Sequence, residues 1–461
     1  VRLSAAESDT IAAIATPPGE SGLAVIRISG PRATAVADQV FCSARKPPTQ
    51  LATAPSHTLH YGHIVREGRR LDEVLVAIMR APRTFTREDV VEVSCHGGVL
   101  VTRLVLDALL AAGARAAQPG EFSRRAFLNG RLDLTQAEAV ADVIHARTEL
   151  ALAAAQEQLA GSLSRRVGPL RDELLGLLAH VEAHIDFPDE DIAPDTRDRM
   201  TARLESALST LDGLLATARE GQVLRRGIRT VIVGCPNAGK SSLLNRLLGH
   251  DRAIVSPVAG TTRDTIEETA SIRGYPVVFI DTAGLRDAAD DLEREGIRRT
   301  RKAADRAELV LHVLDGSDLL QPADLEFLGQ FADKPRLLVL NKSDLPRRLE
   351  LPAGTQEAEP VPVSCVTGEG LETLKEAIAG RIRSGATEAL PEATINARHE
   401  DALRRAREGL DRTRTALVAE LGLELVALDL RIAVTAIGEI VGGTATDDLL
   451  DSIFSQFCLG K

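Results

Sequence analysis

The sequence contains no tryptophan, two tyrosines, two methionines and only 3% aromatic residues. With so few rings, base stacking cannot dominate a nucleic-acid contact, and cores must be built from Leu, Val, Ile and Ala. Cysteine is scarce too. The five thiols (Cys42, Cys95, Cys235, Cys365 and Cys458) are odd in number, and no two form a Cys-x-x-Cys pair. This excludes a disulfide framework and a zinc ribbon. Net positive charge is also absent: 55 basic residues face 66 acidic ones, giving −11. A protein coated in basic charge is excluded, but a nucleic-acid partner held by a local patch is not. No apolar run is long enough to span a bilayer. The best candidate, Leu421 to Val441, is interrupted by Glu424, Asp429, Arg431 and Glu439. With no membrane span and no secretion signal, the expectation is a cytoplasmic protein. The missing initiator Met points to a trimmed or processed start.

What is present is a chain of 461 residues, 44% apolar and 26% charged, the composition of a soluble protein of about three domains. Residues 1–128 alternate β-rich and helical runs. Leu23–Ile28 and Val90–Ser94 read as strands and Leu100–Ala112 as a helix, an α+β pattern. Residues 129–227 turn helical, through Ala137–Leu163, Leu170–Ile185 and Met200–Ala218, with one acidic, Pro-containing break from Asp186 to Asp198. Residues 228–384 alternate buried strands with helices, the pattern of a doubly wound α/β domain. Its strands are expected at Thr230–Val233, Val277–Ile280, Leu309–Leu314, Leu337–Leu340 and Val361–Val363. Residues 385–461 are helical again, so the α/β unit reads as an insertion in one all-α domain.

Gly234-Cys235-Pro236-Asn237-Ala238-Gly239-Lys240-Ser241 fits G-x-x-x-x-G-K-[ST] between an apolar strand and a helix. The glycines let backbone N–H groups converge on phosphate oxygens. Lys240 places a cation on the β and γ phosphates, and Ser241 can ligate Mg²⁺. Asp281-Thr282-Ala283-Gly284 follows the next strand, where an Asp can hold a magnesium water and the Gly N–H can reach the γ-phosphate. Asn341-Lys342-Ser343-Asp344 ends another strand. Asp344 can accept from guanine N1–H and the 2-amino group, whereas adenine offers an acceptor at N1 and no 2-amino group. Ser364-Cys365-Val366 can direct backbone N–H groups at guanine O6, although Cys365 and Val366 depart from the usual Ser-Ala-Lys. Four ordered motifs at strand ends identify a P-loop GTPase (Ras-like) domain. The residue after D-x-x-G, where a Gln would orient water, is Leu285. Hydrolysis therefore needs another group. Thr262, within Gly260–Asp264, can ligate Mg²⁺, and Arg286 and Glu293 lie downstream.

His57, His60 and His63 have no Cys or acidic residue at a fixed interval, and we read them as surface or strand histidines. Cys95 and His96 are adjacent in a strand and should face opposite ways. A small cationic patch is expected at Arg225, Arg226 and Arg229.

Several long motifs resemble those of the tRNA modification GTPase MnmE (TrmE) family. They are Ala15–Gly19, Arg27–Gly30, Phe85–Asp89, His96–Gly98, Pro119–Ser123, Ala126–Gly130, Asp186–Glu190, the phosphate loop with Asn237, Gly260–Asp264, Asp281–Arg286 and the terminal Phe457–Lys461. The resemblance implies an α+β, folate-binding and dimerising N-terminal domain, a helical domain and an inserted GTPase domain. It implies a potassium-activated GTPase that works as a homodimer with the flavoprotein MnmG. Together they would add a carboxymethylaminomethyl/aminomethyl-type group to C5 of the wobble uridine of certain tRNAs. The one-carbon donor would be a tetrahydrofolate derivative, 5-formyl or methylene. In this reading GTP is held by Asn237, Ala238, Gly239, Lys240, Ser241, Ser242, Ser256, Thr261, Thr262, Asp281–Gly284 (with Thr282 and Ala283), Asn341, Lys342, Asp344, Ser364, Cys365 and Val366. Mg²⁺ takes Ser241 and Thr262. K⁺ takes Asn237, Ser256, Thr261 and the carbonyl of Val258. Glu293, Lys240 and Cys458 are the candidate catalytic residues. Arg27, Glu92, Arg131 and Lys461 are the candidate folate site. The rival reading is a GTP-switched binding module of the ribosome-assembly type, without folate chemistry.

Overall fold

The computed structural model describes residues 9–186, 197–249, 267–280, 305–330, 334–351, 359–383 and 393–461. The chain divides into two compact units.

The first unit gathers residues 9–141, 164–173 and 434–461. Its sheet comprises β1 (Ile11–Ile14), β2 (Ser21–Ser29), β3 (Phe41–Ser43), β4 (Thr58–Arg66), β5 (Arg69–Met79), β6 (Val90–Gly97) and β7 (Arg115–Ala116). The order is β3-β4-β5-β6-β2-β1-β7. Only the β1–β7 pair is parallel. Strict alternation sets the two faces. Val91, Val93 and Cys95 of β6 and Ala24, Ile26 and Ile28 of β2 point into the core. There they meet the apolar faces of the helices Ala33–Val40 and Val99–Ala111. Glu92 and Arg27 face each other across the β2–β6 pair on the opposite face. A second cluster joins the helix Leu134–His145 to Asp447–Phe454 through Leu134, Ala137, Leu450, Phe454 and Phe457. Residues 127–141 and 445–457, far apart in sequence, thus share one core.

The second unit gathers residues 142–163 and 174–433. Its sheet comprises β8 (Ile228–Val233), β9 (Glu268–Ile272), β10 (Tyr275–Phe279), β11 (Leu309–Asp315), β12 (Arg336–Asn341) and β13 (Val361–Val363). The order is β13-β12-β11-β8-β10-β9, parallel except for β9–β10. Helices Lys240–Leu248 and Leu371–Ile382 cover one face. Val231, Val233 and Val310 pack on the other, with Phe327 from the helix Pro322–Gln330. Helices on both faces explain why the central strands are apolar throughout. Helices Glu149–Leu159, Arg197–Ala216, Ala218–Arg226 and Ala397–Val418, with residues 174–186 of the helix Ser162–Asp186 and 423–433 of the helix Leu423–Val441, supply the helical part of this unit.

Three details differ from the sequence expectation. The run Ala137–Leu163 is not one helix: it stops at His145 and restarts at Glu149, where the Thr148 hydroxyl caps the new N-terminus by accepting from Ala151 N–H. The next helix is longer than expected. It spans Ser162–Asp186 and carries Pro169 within it. Strand β9 was not expected, because Glu-Thr-Ala-Ser-Ile lacks an apolar run. Its Glu268 and Thr269 are buried all the same, at the antiparallel end of the sheet. Among the described residues, no helix is long and apolar enough to cross a membrane.

Candidate functional site

In a doubly wound sheet, ligands bind beyond the carboxyl ends of the strands where the strand order reverses. Here that point lies beside β8, and the residues after β8 are the phosphate loop. Gly234 adopts φ +145°, and a Cβ there would collide with the Val313 carbonyl oxygen. Asn237 adopts φ +64° and is exposed. Gly239 adopts φ +94° at the N-cap of the helix Lys240–Leu248, where a Cβ would collide with Asn341 Nδ2. The loop thus requires glycine at both ends. Lys240 Nζ donates to the carbonyls of Gly234 (2.9 Å) and Cys235 (2.8 Å) across the mouth of the loop. Burial lowers its pKa, and Asp324 acts in the opposite direction. Cys235 is pushed up to about 12 by burial and by the Asp324 carboxylate. It is therefore an inert thiol.

The guanine motifs meet this loop. Asn341, 2% exposed, donates from Nδ2 to the Ala238 carbonyl at 2.8 Å and accepts at Oδ1 from Cys365 N–H at 3.3 Å. Lys342 lies at φ +62° and pairs with Asp315 at 2.5 Å. Ser364 is fully buried and donates to Asp344 Oδ1 at 2.6 Å, while Asp344 itself is exposed and open to a base. Asn237, Ala238, Gly239, Lys240, Ser241, Ser242, Asn341, Lys342, Asp344, Ser364, Cys365 and Val366 therefore cluster at one end of the sheet. Ser256, Val258, Thr261, Thr262, Asp281, Thr282, Ala283, Gly284 and Glu293 lie outside the described residues, as do Leu285 and Arg286.

A second cluster occupies the first unit. Arg27 donates to Glu92 Oε1 at 2.8 Å and to the Gly460 carbonyl at 3.2 Å. The Lys461 carbonyl accepts from Phe122 N–H at 3.2 Å. Gly460 is at φ +88°, with Ile14 and Ala15 so close that a Cβ would strike their backbone. Burial and the neighbouring Arg27 both lower the Lys461 pKa. Two aromatic residues that sequence reasoning did not assign complete the cluster. Arg27 stacks over Phe122 at 5.8 Å and Arg131 over Phe85 at 6.0 Å, and Phe85 packs on the small core that holds Phe122. Cys458 is exposed three residues before Lys461. The structure thus brings Arg27, Glu92 and Lys461 together, with Arg131 reached through the two rings.

The remaining motif residues build a scaffold. Arg125, 1% exposed, donates to Asp9 Oδ1 (2.6 Å), Glu121 Oε1 (3.0 Å) and Glu88 Oε1 (3.2 Å). Ser29 Oγ donates to Glu88 Oε2 at 2.7 Å and lies 2.7 Å from Thr86 Oγ1. Cys95 is buried and His96 exposed, as strand geometry requires. The expected cationic patch is not a free one. Arg225 pairs with Asp142, Arg226 with Glu308 and Arg229 with Glu267, which neutralises all three.

Comparison with known proteins covers both units. A family model described as "GTP-binding protein TrmE N-terminus" matches residues 10–131, and one described as "MnmE helical domain" matches residues 134–458. The second span encloses the six-stranded sheet, so the α/β domain is inserted within the helical one. The tRNA modification GTPase MnmE of Symbiobacterium thermophilum is 49% identical over 458 residues, covering 98% of this chain and 99% of its own length. That of Chloroflexus aurantiacus is 49% identical over 98% of this chain and all of its own. That of Lacticaseibacillus paracasei is 45% identical over 98% of each. Among solved structures, the G domain of the T. maritima FeoB iron transporter is 26% identical over 34% of this chain and 99% of its own, with a TM-score of 0.23. That score is too low to carry the fold, which rests on the strand order. The chain is a multidomain protein with an α+β N-terminal domain, a helical domain and an inserted P-loop GTPase domain, and it belongs to the MnmE (TrmE) family of tRNA modification GTPases.

Proposed function

We propose that this chain is a potassium-activated GTPase that modifies the wobble uridine of certain tRNAs together with the flavoprotein MnmG. The group added at C5 is of the carboxymethylaminomethyl/aminomethyl type, and a tetrahydrofolate derivative supplies the carbon. The observation that carries this reading is that Gly460 and Lys461 return to Arg27 and Glu92, far from the nucleotide motifs in sequence. A switch protein needs only the phosphate loop and the guanine motifs. A second cluster of cations and a carboxylate on an aromatic floor is unexplained by that alternative.

The donor set fits a folate. Arg27 and Lys461 crowd two cations into a partly buried corner, and their mutual repulsion is relieved by an anion such as the glutamate tail. Glu92 offers a carboxylate to pterin N–H groups, and Phe122 and Phe85 offer apolar surface. When bound, the folate would supply the one-carbon unit. Cys458 stands at the exposed rim of this cluster, as the candidate nucleophile there. In the GTPase site, Lys240 would shift from its loop carbonyls to the phosphates. Ser241 with Thr262 would hold Mg²⁺, which would supply positive charge against the phosphates. Asn237 with Ser256, Thr261 and the Val258 carbonyl would hold K⁺, which supplies the charge of an arginine finger. Glu293 would orient water in place of Leu285. The domain limits proposed are 1–128, 129–227, 228–384 and 385–461.

Homodimerisation through the N-terminal sheet is supported by its solvent face, where Leu59, Tyr61 and Leu75 of β4 and β5 stand exposed. The chain would act in the cytoplasm. The test of the reading is GTP turnover in KCl against NaCl at equal ionic strength, with 5-formyl-tetrahydrofolate titration beside it. A K⁺-specific stimulation lost in Asn237→Ala, and folate binding lost in Arg27→Ala, are expected. Equal rates in both salts, with no folate binding, would leave the switch-protein reading in place.

A further inference from the structure

Residues 364–368 depart from the usual guanine-reading loop, and the structure contains a feature that answers this departure. Arg246 projects from the last turn of the helix Lys240–Leu248 and is exposed. Its Nε donates to the Cys365 carbonyl at 2.8 Å and its Nη2 to the Val366 carbonyl at 2.7 Å. One planar guanidinium thus grips two consecutive peptide groups with charge-assisted bonds. In a trans peptide the carbonyl and the following N–H point in opposite directions. Fixing the two carbonyls on Arg246 therefore turns Val366 N–H and Thr367 N–H the other way. Both meet Ser364 Oγ, at 3.3 Å and 3.0 Å. That hydroxyl in turn donates to Asp344 Oδ1 at 2.6 Å. The series runs from the phosphate-loop helix, through two peptide planes and one hydroxyl, to the carboxylate expected to read the base. The loop is also tied at its base by Cys365 N–H on Asn341 Oδ1 (3.3 Å) and closed on itself by Ser364 N–H on the Glu369 carbonyl and Gly368 N–H on the Ser364 carbonyl (both 2.9 Å), but its outward carbonyls are held by Arg246. Val366 is 76% exposed, and Cys365 alone of its central residues packs on the core.

We propose that Arg246 is a specificity-determining positioning residue, which straps the guanine-reading loop to the phosphate-loop helix and holds its peptide groups and Asp344 in register for a guanine nucleotide. It acts through the loop and does not touch the phosphates. The inference rests on the GTPase reading above and adds a residue that the four motifs do not include.

The test uses the full chain and competition against a fluorescent GDP analogue. The competitors are GDP, the inosine diphosphate that lacks the 2-amino group, the 2,6-diaminopurine riboside diphosphate that lacks O6, and inorganic pyrophosphate. Arg246→Ala is expected to weaken GDP about tenfold, the scale of losing two exposed charge-assisted bonds. It should narrow the preference for GDP over both base analogues and leave pyrophosphate unchanged. Arg246→Lys keeps the charge but cannot grip two carbonyls at once, so it should recover only part of the loss. Because Arg246 is exposed, folding should survive, and a thermal melt checks this. Unchanged GDP affinity and base preference in Arg246→Ala would overturn the proposal. So would an equal loss for GDP and pyrophosphate, which would assign Arg246 to the helix and not to the loop. Failure of the unsubstituted protein to prefer GDP over the inosine analogue would instead remove the guanine reading itself.

Discussion

Replacing Arg125 by Met should loosen the whole N-terminal sheet. The guanidinium is 1% exposed and is bonded to three carboxylates and to the Asp9 carbonyl at 2.7 Å. Removing one partner of a buried ion cluster costs about 3–5 kcal/mol, because the charges left behind stay desolvated. The lower end applies here, since Arg115 still reaches Asp9 and Glu121 and the Asp9 side chain is 37% exposed. A loss of about 3 kcal/mol corresponds to roughly a hundredfold change in an opening equilibrium. Hydrogen exchange on the intact chain reads this directly, because the amides of β1 and β2 report on this unit without unfolding the other. Their protection should fall about a hundredfold at neutral pH. The pH dependence has a defined sign. Bonds from Arg115 and Arg125 lower the Asp9 pKa below its ordinary 3.8. At Glu121 burial opposes ionisation, but Arg115, Gln118 N–H and Arg125 outweigh it and lower the pKa below 4.5. The stability these groups give is complete above those ordinary values and is lost as pH falls through the lowered ones. The substituted protein has less of it to lose, so the gap from the unsubstituted one should close below about pH 4. A change in protection under about threefold at pH 7 would refute the reasoning, since the cluster would then contribute no more than a surface ion pair.

Three further outcomes follow from the same geometry. Gly239→Ala should abolish guanine-nucleotide binding by calorimetry, because its Cβ collides with Asn341 Nδ2 at φ +94°; retained affinity would mean the loop relaxes freely. Tyr275 donates to the buried Glu220 at 2.5 Å, and burial, then Glu220, pushes its pKa up to about 12. Tyr275→Phe should cost about 1–3 kcal/mol in thermal unfolding, and less when combined with Glu220→Leu, whereas equal costs would deny the coupling. Iodoacetamide at pH 8 should reach exposed Cys42 and Cys458 long before Cys235 (about 12) and Cys95 (pushed up to about 11 by burial), and early labelling of Cys235 would contradict its placement.

The parallel strands were legible because helices cover both their faces, which leaves continuous apolar runs such as Leu309–Leu314. Strand β9 was not, since a short edge strand is held by backbone pairing with β10 and its buried Glu268 carries no apolar signal. The expected helical runs leave a gap between Leu163 and Leu170, which contains Pro169, yet one helix continues through it. Proline removes one backbone donor, a cost that Leu163, Val167, Leu170 and Leu174, buried on either side, can offset. The nucleotide residues were readable because phosphate chemistry demands fixed types at fixed spacing. Arg27, Glu92, Arg131 and Lys461 were readable only through family resemblance. The rings beneath the arginines, Phe122 and Phe85, were not, because stacking sets no interval in sequence. Arg246 escaped for the same reason: its partners are two backbone carbonyls more than a hundred residues away, and any side chain could have carried those.

The return of residues 434–461 to the unit that begins at β1 sets an order of events during synthesis. The ribosome delivers the seven strands first, then the entire GTPase sheet, and only then the segment that buries Leu134 and Phe127 and lays Gly460 against Ile14. The nucleotide-binding sheet can therefore close while the earlier body still waits with apolar surface uncovered. A nascent chain stalled before residue 434 would carry a finished GTPase fold beside an unfinished neighbour, and that neighbour is where a chaperone would find its grip.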